Sequence, residues 1–129
     1  MDTSTAYISS DALSYINAER VKLGLSELTY KSSLGDAAKI RAVEASTYFA
    51  HTRPDGSSPS TVYSGAGSFG ECLAMGQTSA YSVVYGSTSW STSTTHWTAL
   101  MNSKYTYCAI AYYKGSDGIY YWAALLSNY

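Results

Sequence analysis

Charge is what this sequence has least of. Only 13% of its 129 residues are Asp, Glu, Lys or Arg, and their near balance leaves a formal net charge of -1. No cluster of Lys or Arg supplies a phosphate footprint, so nothing points to nucleic acid. No apolar run approaches the ~20 residues of a transmembrane segment. The start, Met1-Asp2-Thr3-Ser4-Thr5, lacks the basic and apolar parts of an export signal, and residues 1–7 read as a flexible lead-in. Cysteine is also scarce, with Cys72 and Cys108 alone. Two thiols cannot close a zinc site by themselves, and their spacing is not that of a zinc finger. Two readings stay open: a disulfide between them if the protein is exported, or two small buried thiols.

What the chain has in excess is hydroxyl. Tyrosine alone numbers 14, and serine and threonine recur throughout. A surface kept soluble by hydroxyls rather than charge is more typical of extracellular proteins. The length fits one domain, residues 1–129, able to bury roughly two-thirds of the surface that its unfolded form exposes.

Ser9-Ser10-Asp11 can cap a first helix carrying Leu13, Ile16, Ala18 and Val21 and ending at Gly24. Ser32 or Ser33 can cap a second, through about Tyr48, whose stripe of Leu34, Ala37, Ala38, Ile40, Val43 and Thr47 is mostly small and suits close packing on a sheet. Pro54-Asp55-Gly56 is turn chemistry, which leaves His51 where the chain departs from that helix. Ser57 to Gly70 reads as a loop. Thr78 or Ser79 can cap a third helix through Trp90, and His96 to Met101 a short fourth. The β-prone runs 105–113 and 119–126 flank Gly115-Ser116-Asp117-Gly118 and predict a closing hairpin. Helices first and paired strands last predict an α+β fold.

Four segments, in this order, resemble the CAP superfamily (cysteine-rich secretory proteins, antigen 5 and plant pathogenesis-related group one), in its short bacterial branch. They are Phe49-Ala50-His51-Thr52-Arg53-Pro54-Asp55-Gly56, Gly70-Glu71-Cys72-Leu73-Ala74-Met75-Gly76, Trp90-Ser91-Thr92-Ser93-Thr94-Thr95-His96 and the strand pair 105–126. Asn17-Ala18-Glu19-Arg20, with Leu25 and Leu28 after it, is similar to the family's opening. The resemblance implies an α-β-α sandwich, a central antiparallel sheet with helices on both faces. It also implies a cavity lined by His51, Glu71 and His96, with Ser93 where many relatives carry a second acid and Cys72 where asparagine is usual.

Two imidazoles and a carboxylate would be a first shell for zinc or another divalent ion, weakened by loss of the second acid at Ser93. A structural alternative is that the three side chains bond one another and hold helix ends to the sheet. Ser93, His96 and Glu71 also contain the ingredients of a hydrolase, but the segment has no nucleophile-elbow glycines and no evident oxyanion hole. The expected function is a non-enzymatic extracellular binding module for a glycan, peptide, protein or lipid ligand. The alternatives are a metal-assisted hydrolase with Glu71 as base and a lipid or sterol carrier. Family resemblance carries fold and cavity better than activity.

Overall fold

The aromatic, alanine-rich end of the chain builds the centre of the sheet. In the computed structural model, which describes residues 1–129, β3 (Tyr107–Lys114) and β4 (Tyr120–Ser127) pair antiparallel from Tyr107↔Ser127 to Lys114↔Tyr120. Gly118, at φ 81°, makes the turn between them. β4 pairs on its other side with β2 (Phe69–Met75), and β3 with β1 (Ala6–Ile8), giving the order β1-β3-β4-β2. β4 is buried along nearly its whole length, as expected of a strand covered on both faces.

Alternation sends successive residues to opposite faces. On one face Cys72, Cys108, Ile110, Trp122, Ala124 and Leu126 pack with Ile16, Val83, Val84, Trp90 and Leu100. Those partners come from α1 (Ser10–Lys22), α3 (Ala80–Tyr85), the 3₁₀ turn Trp90–Thr92 and α4 (Thr94–Leu100). On the other face Leu73, Ala109, Ala111, Ala123 and Leu125 meet Leu34, Ala37, Ala38 and Ala42 of α2 (Ser32–Thr47). Alanine on both sides of this second interface brings α2 close to the sheet. The result is the three-layer α-β-α sandwich that the sequence implied.

Local chemistry explains most boundaries. Ser9 caps α1 by accepting the Ala12 amide (3.2 Å), and Gly24, at φ 74°, follows its end. Asn17 exchanges two hydrogen bonds with the Leu28 backbone (2.9 and 2.7 Å), pinning the following loop to α1.

Several expectations need correction. Ala6 and Tyr7, read as the end of the lead-in, belong to the outer strand β1. Lys31, with no side-chain cap bond, precedes α2, so neither Ser32 nor Ser33 is its cap. α3 stops at Tyr85 because Gly86 is extended, and Trp90 belongs to a separate 3₁₀ turn. The end of the stretch read as a loop, Phe69 and Gly70, is the start of β2.

Candidate functional site

β2 is an edge strand, and segments from both helical layers border it. From the α2 layer come the helix itself and the segment after it, which carries Phe49 and His51. From the opposite layer come Trp90, Ser93 and His96.

On the α2 side the central group is Arg41. It lies on the buried face of α2, with a side chain 0% exposed. Its Nε and Nη2 donate to Glu71 Oε2 and Oε1 (2.6 and 2.9 Å), a bidentate fork, and its Nη1 donates to Glu44 Oε1 (2.8 Å). Arg41 Nη2 also reaches the carbonyl of Ala50 (2.8 Å), which ties the loop after α2 to the helix. Arg53 returns to Glu44 through Nε and Nη2 (3.0 and 2.9 Å). Two cations and two carboxylates thus cancel within one network. Burial acts to lower Arg41, but the bonds from Glu71 and Glu44 outweigh it and raise its pKa. Burial acts to raise Glu44, and the Arg53 and Arg41 bonds overcome this and lower it.

His51 joins the network from outside. Its ring is 60% exposed, and its Nδ1 stands 3.0 Å from Glu71 Oε1. A carboxylate can only accept, so His51 Nδ1 carries the proton and, in the neutral ring, Nε2 faces outward as an acceptor. Glu71 is buried, its side chain 2% exposed, and both its oxygens are bonded.

Across the strand edge His96 Nδ1 pairs with Ser93 Oγ at 2.9 Å. Burial lowers the His96 pKa, and the charge of His51 adds to the same direction. A cavity of about 390 Å³ opens here, walled by Phe49, Leu73, Met75, Trp90, Ser93 and His96 among others. A second depression of similar size adjoins it and shares Met75, Gln77 and Thr88. Gln77 donates its Nε2 to the Thr88 carbonyl (3.0 Å), while its buried Oε1 has no partner. Trp90 Nε1 donates to the Leu73 carbonyl (3.1 Å), fixing the wall to the edge strand.

A family model described as the cysteine-rich secretory protein family, CAP, matches residues 13–126. The chain belongs to the CAP family. Among solved structures it is similar to an outer surface protein from Borrelia burgdorferi, at 24% sequence identity and TM-score 0.78, with 95% of this chain and 97% of that chain covered. That likeness concerns the fold. No curated protein sequence matches the chain.

Of the four residues that the CAP pattern marks, the structure joins them in two pairs. His51 bonds Glu71, and Ser93 bonds His96. Only Ser93 and His96 line the cavity itself. The ligand set expected from the sequence, His51, Glu71 and His96, is not gathered into one cluster. The Arg41 fork occupies the carboxylate, and no three His, Cys, Asp or Glu side chains are grouped to hold a metal ion. Cys72 and Cys108 are free, with β4 running between their strands. Cys72 lies opposite Ala124 and Cys108 opposite Leu126. Two strand spacings separate them by at least ~9 Å, beyond the ~7 Å limit for a bridge. The buried-thiol reading is therefore the one the fold contains, and burial pushes the Cys72 pKa up to about 12.

Three participants were not singled out in the sequence as lining or shaping this site: Arg41, Gln77 and Phe49. Arg41 carried a signal, since it falls at helical spacing on the stripe Leu34-Ala38-Arg41-Ala45, where a charge must find partners. Phe49 carried only its place in the motif segment before His51, and Gln77 carried no signal, because only the fold brings them to the edge of β2.

Proposed function

We propose that this CAP domain is a non-enzymatic binding module that works outside the cytoplasm and takes a neutral, partly apolar ligand into the cavity beside β2. The observation that carries this reading is the Arg41–Glu71 fork. It neutralises the one carboxylate of the expected set, so the cavity is left with ring faces, a methionine, hydroxyls and a depressed, neutral His96. A volume of about 390 Å³ lies in the lower part of the ~300–1,000 Å³ range of small-molecule pockets. The unpartnered Gln77 Oε1 at its wall supports a ligand that donates an O–H or N–H. The extracytoplasmic setting is supported by the secretory family description, the hydroxyl-rich composition and the outer-surface name of the similar Borrelia protein.

Hydrolysis is not part of this reading. A general base needs a lone pair directed at the substrate, whereas both oxygens of Glu71 are directed at Arg41. Saturation-transfer NMR with a library of small neutral amides and alcohols tests the proposal. Hits should be retained in the presence of a chelator and lost in Phe49→Ala and His96→Ala. Hits that need a divalent metal, or that ignore both substitutions, would contradict it.

A further inference from the structure

The face of the sheet under α1 and α3 ends in a row of rings that the cavity beside β2 does not use. Tyr7, Tyr112 and Trp122 are direct cross-strand partners on β1, β3 and β4, and so stand on one face. Their ring centroids follow one another at 5.8 and 5.0 Å, and Tyr120 lies 6.2 Å from Tyr112. The row is held from below. Trp122 is 2% exposed and its Nε1 donates to the Gln77 carbonyl at 2.8 Å. Tyr7 is 52% exposed, and Tyr112 and Tyr120 are half-buried. At the start of α1 and α3, where neither helix covers the sheet, a cavity of about 240 Å³ opens over Tyr112, Tyr120 and Trp122, with Ser9, Asp11 and Thr78 among its walls. It shares no lining residue with the cavity of His96.

We infer that this aromatic shelf is a binding subsite for a neutral pyranose unit of a glycan. A sugar ring presents a face of C–H bonds flanked by hydroxyls, and the shelf presents the complement. Aromatic rings supply rigid apolar area at small conformational cost. The hydroxyls of Tyr112, Tyr120 and Thr78 have no partner in the protein and can each donate or accept. Asp11 makes no ion pair or hydrogen bond, and its carboxylate can take two sugar hydroxyls by charge-assisted bonds. The cavity is smaller than the roughly 300–1,000 Å³ of drug-sized sites, which suits a single ring.

Other occupants fit less well. Aromatic clusters also hold quaternary ammonium ions. Here, however, Lys114 Nζ already stands 5.8 Å from the centroid of the Tyr120 ring, placing like charge beside any incoming cation. A peptide adding to the sheet would use the free edge of β1, whereas this cavity lies on the sheet's face.

The test is saturation-transfer NMR with cellotetraose, maltotetraose, mannotetraose and triacetylchitotriose, beside choline chloride as the cationic probe. At least one oligosaccharide should receive saturation at millimolar concentration. Its affinity should fall about tenfold or more in Asp11→Ala, which removes a charge-assisted bond without removing a hydrogen bond or ion pair within the protein. It should also weaken in Tyr7→Ser, a half-exposed ring whose variant is first checked for an unchanged thermal midpoint, and persist in His96→Ala. No transfer to any of the four sugars, transfer to choline alone, or affinity indifferent to both Asp11→Ala and Tyr7→Ser would overturn the inference. Sugar binding lost in His96→Ala but kept in Asp11→Ala would also overturn it, moving the ligand to the cavity beside β2 and leaving the proposed function standing.

Discussion

Arg41 decides the chemistry of the site. A buried guanidinium needs anions, and Glu71 and Glu44 supply them, so Glu71 is its counter-ion. Arg41→Met would leave both carboxylates buried and short of a partner. Losing one member of such a network costs about 3–5 kcal/mol, which urea denaturation would read as a lowered midpoint at unchanged slope. A loss below about 1 kcal/mol, the worth of an exposed pair, would mean that the network is not closed as described. His96 makes a second prediction. Its folded pKa lies below the ordinary 6.5. The unfolded chain therefore takes up its proton first as the medium is acidified. Stability is unaffected by this group above 6.5 and falls as pH drops from there to the folded value. The thermal midpoint should drop more between about pH 7.5 and about pH 5.5 in the wild type than in His96→Gln. Equal drops would contradict the shift.

At the scale of elements, β2 is the piece on which the site depends, and the sequence showed it poorly. Phe69-Gly70-Glu71-Cys72-Leu73-Ala74-Met75 lacks β-branched residues and clean alternation, because Leu73 faces one core, Cys72 and Ala74 the other, and Glu71 a buried cation. β1 was illegible for another reason. Three residues hold strand form only through their ladder with β3. The hairpin, α1 and α2 were legible, since turn glycines, a serine cap and an alanine stripe act locally. His51 and His96 were legible through motif resemblance, but their separation into two bonded pairs was not, because it follows from Arg41 and from the side of β2 on which each loop lies. Gly76 leaves β2 at φ 99° with nothing within 4 Å of where a Cβ would stand. Gly76→Ala should thus cost about 1–2 kcal/mol through backbone strain alone. A neutral effect in denaturant unfolding would show that the turn relaxes. For the cysteines, the native protein should resist a thiol-specific reagent and show no mass change on reduction. Two thiols should react once it is unfolded. A loss of two hydrogens in mass before reduction would reveal a bridge across β4, contrary to the sheet order.

For the molecule as a whole, a three-layer sandwich with an open sheet edge places its concavity where the layers diverge. Phe49, in the segment after α2, forms one lip, and the Trp90–His96 segment the other, so the cavity is walled from both layers. Beneath His51 lies the neutralised network of Arg41, Glu71, Glu44 and Arg53. Nitrogen NMR of the two imidazoles, recorded before and after one equivalent of zinc, asks directly whether that network stays closed. With Glu71 held by Arg41, His51 should show a protonated Nδ1 and a bare Nε2, and the metal should not shift both rings together at that stoichiometry. Joint, saturating shifts of His51 and His96 would mean that the carboxylate had left the guanidinium and that an ion, not a neutral ligand, belongs between the layers.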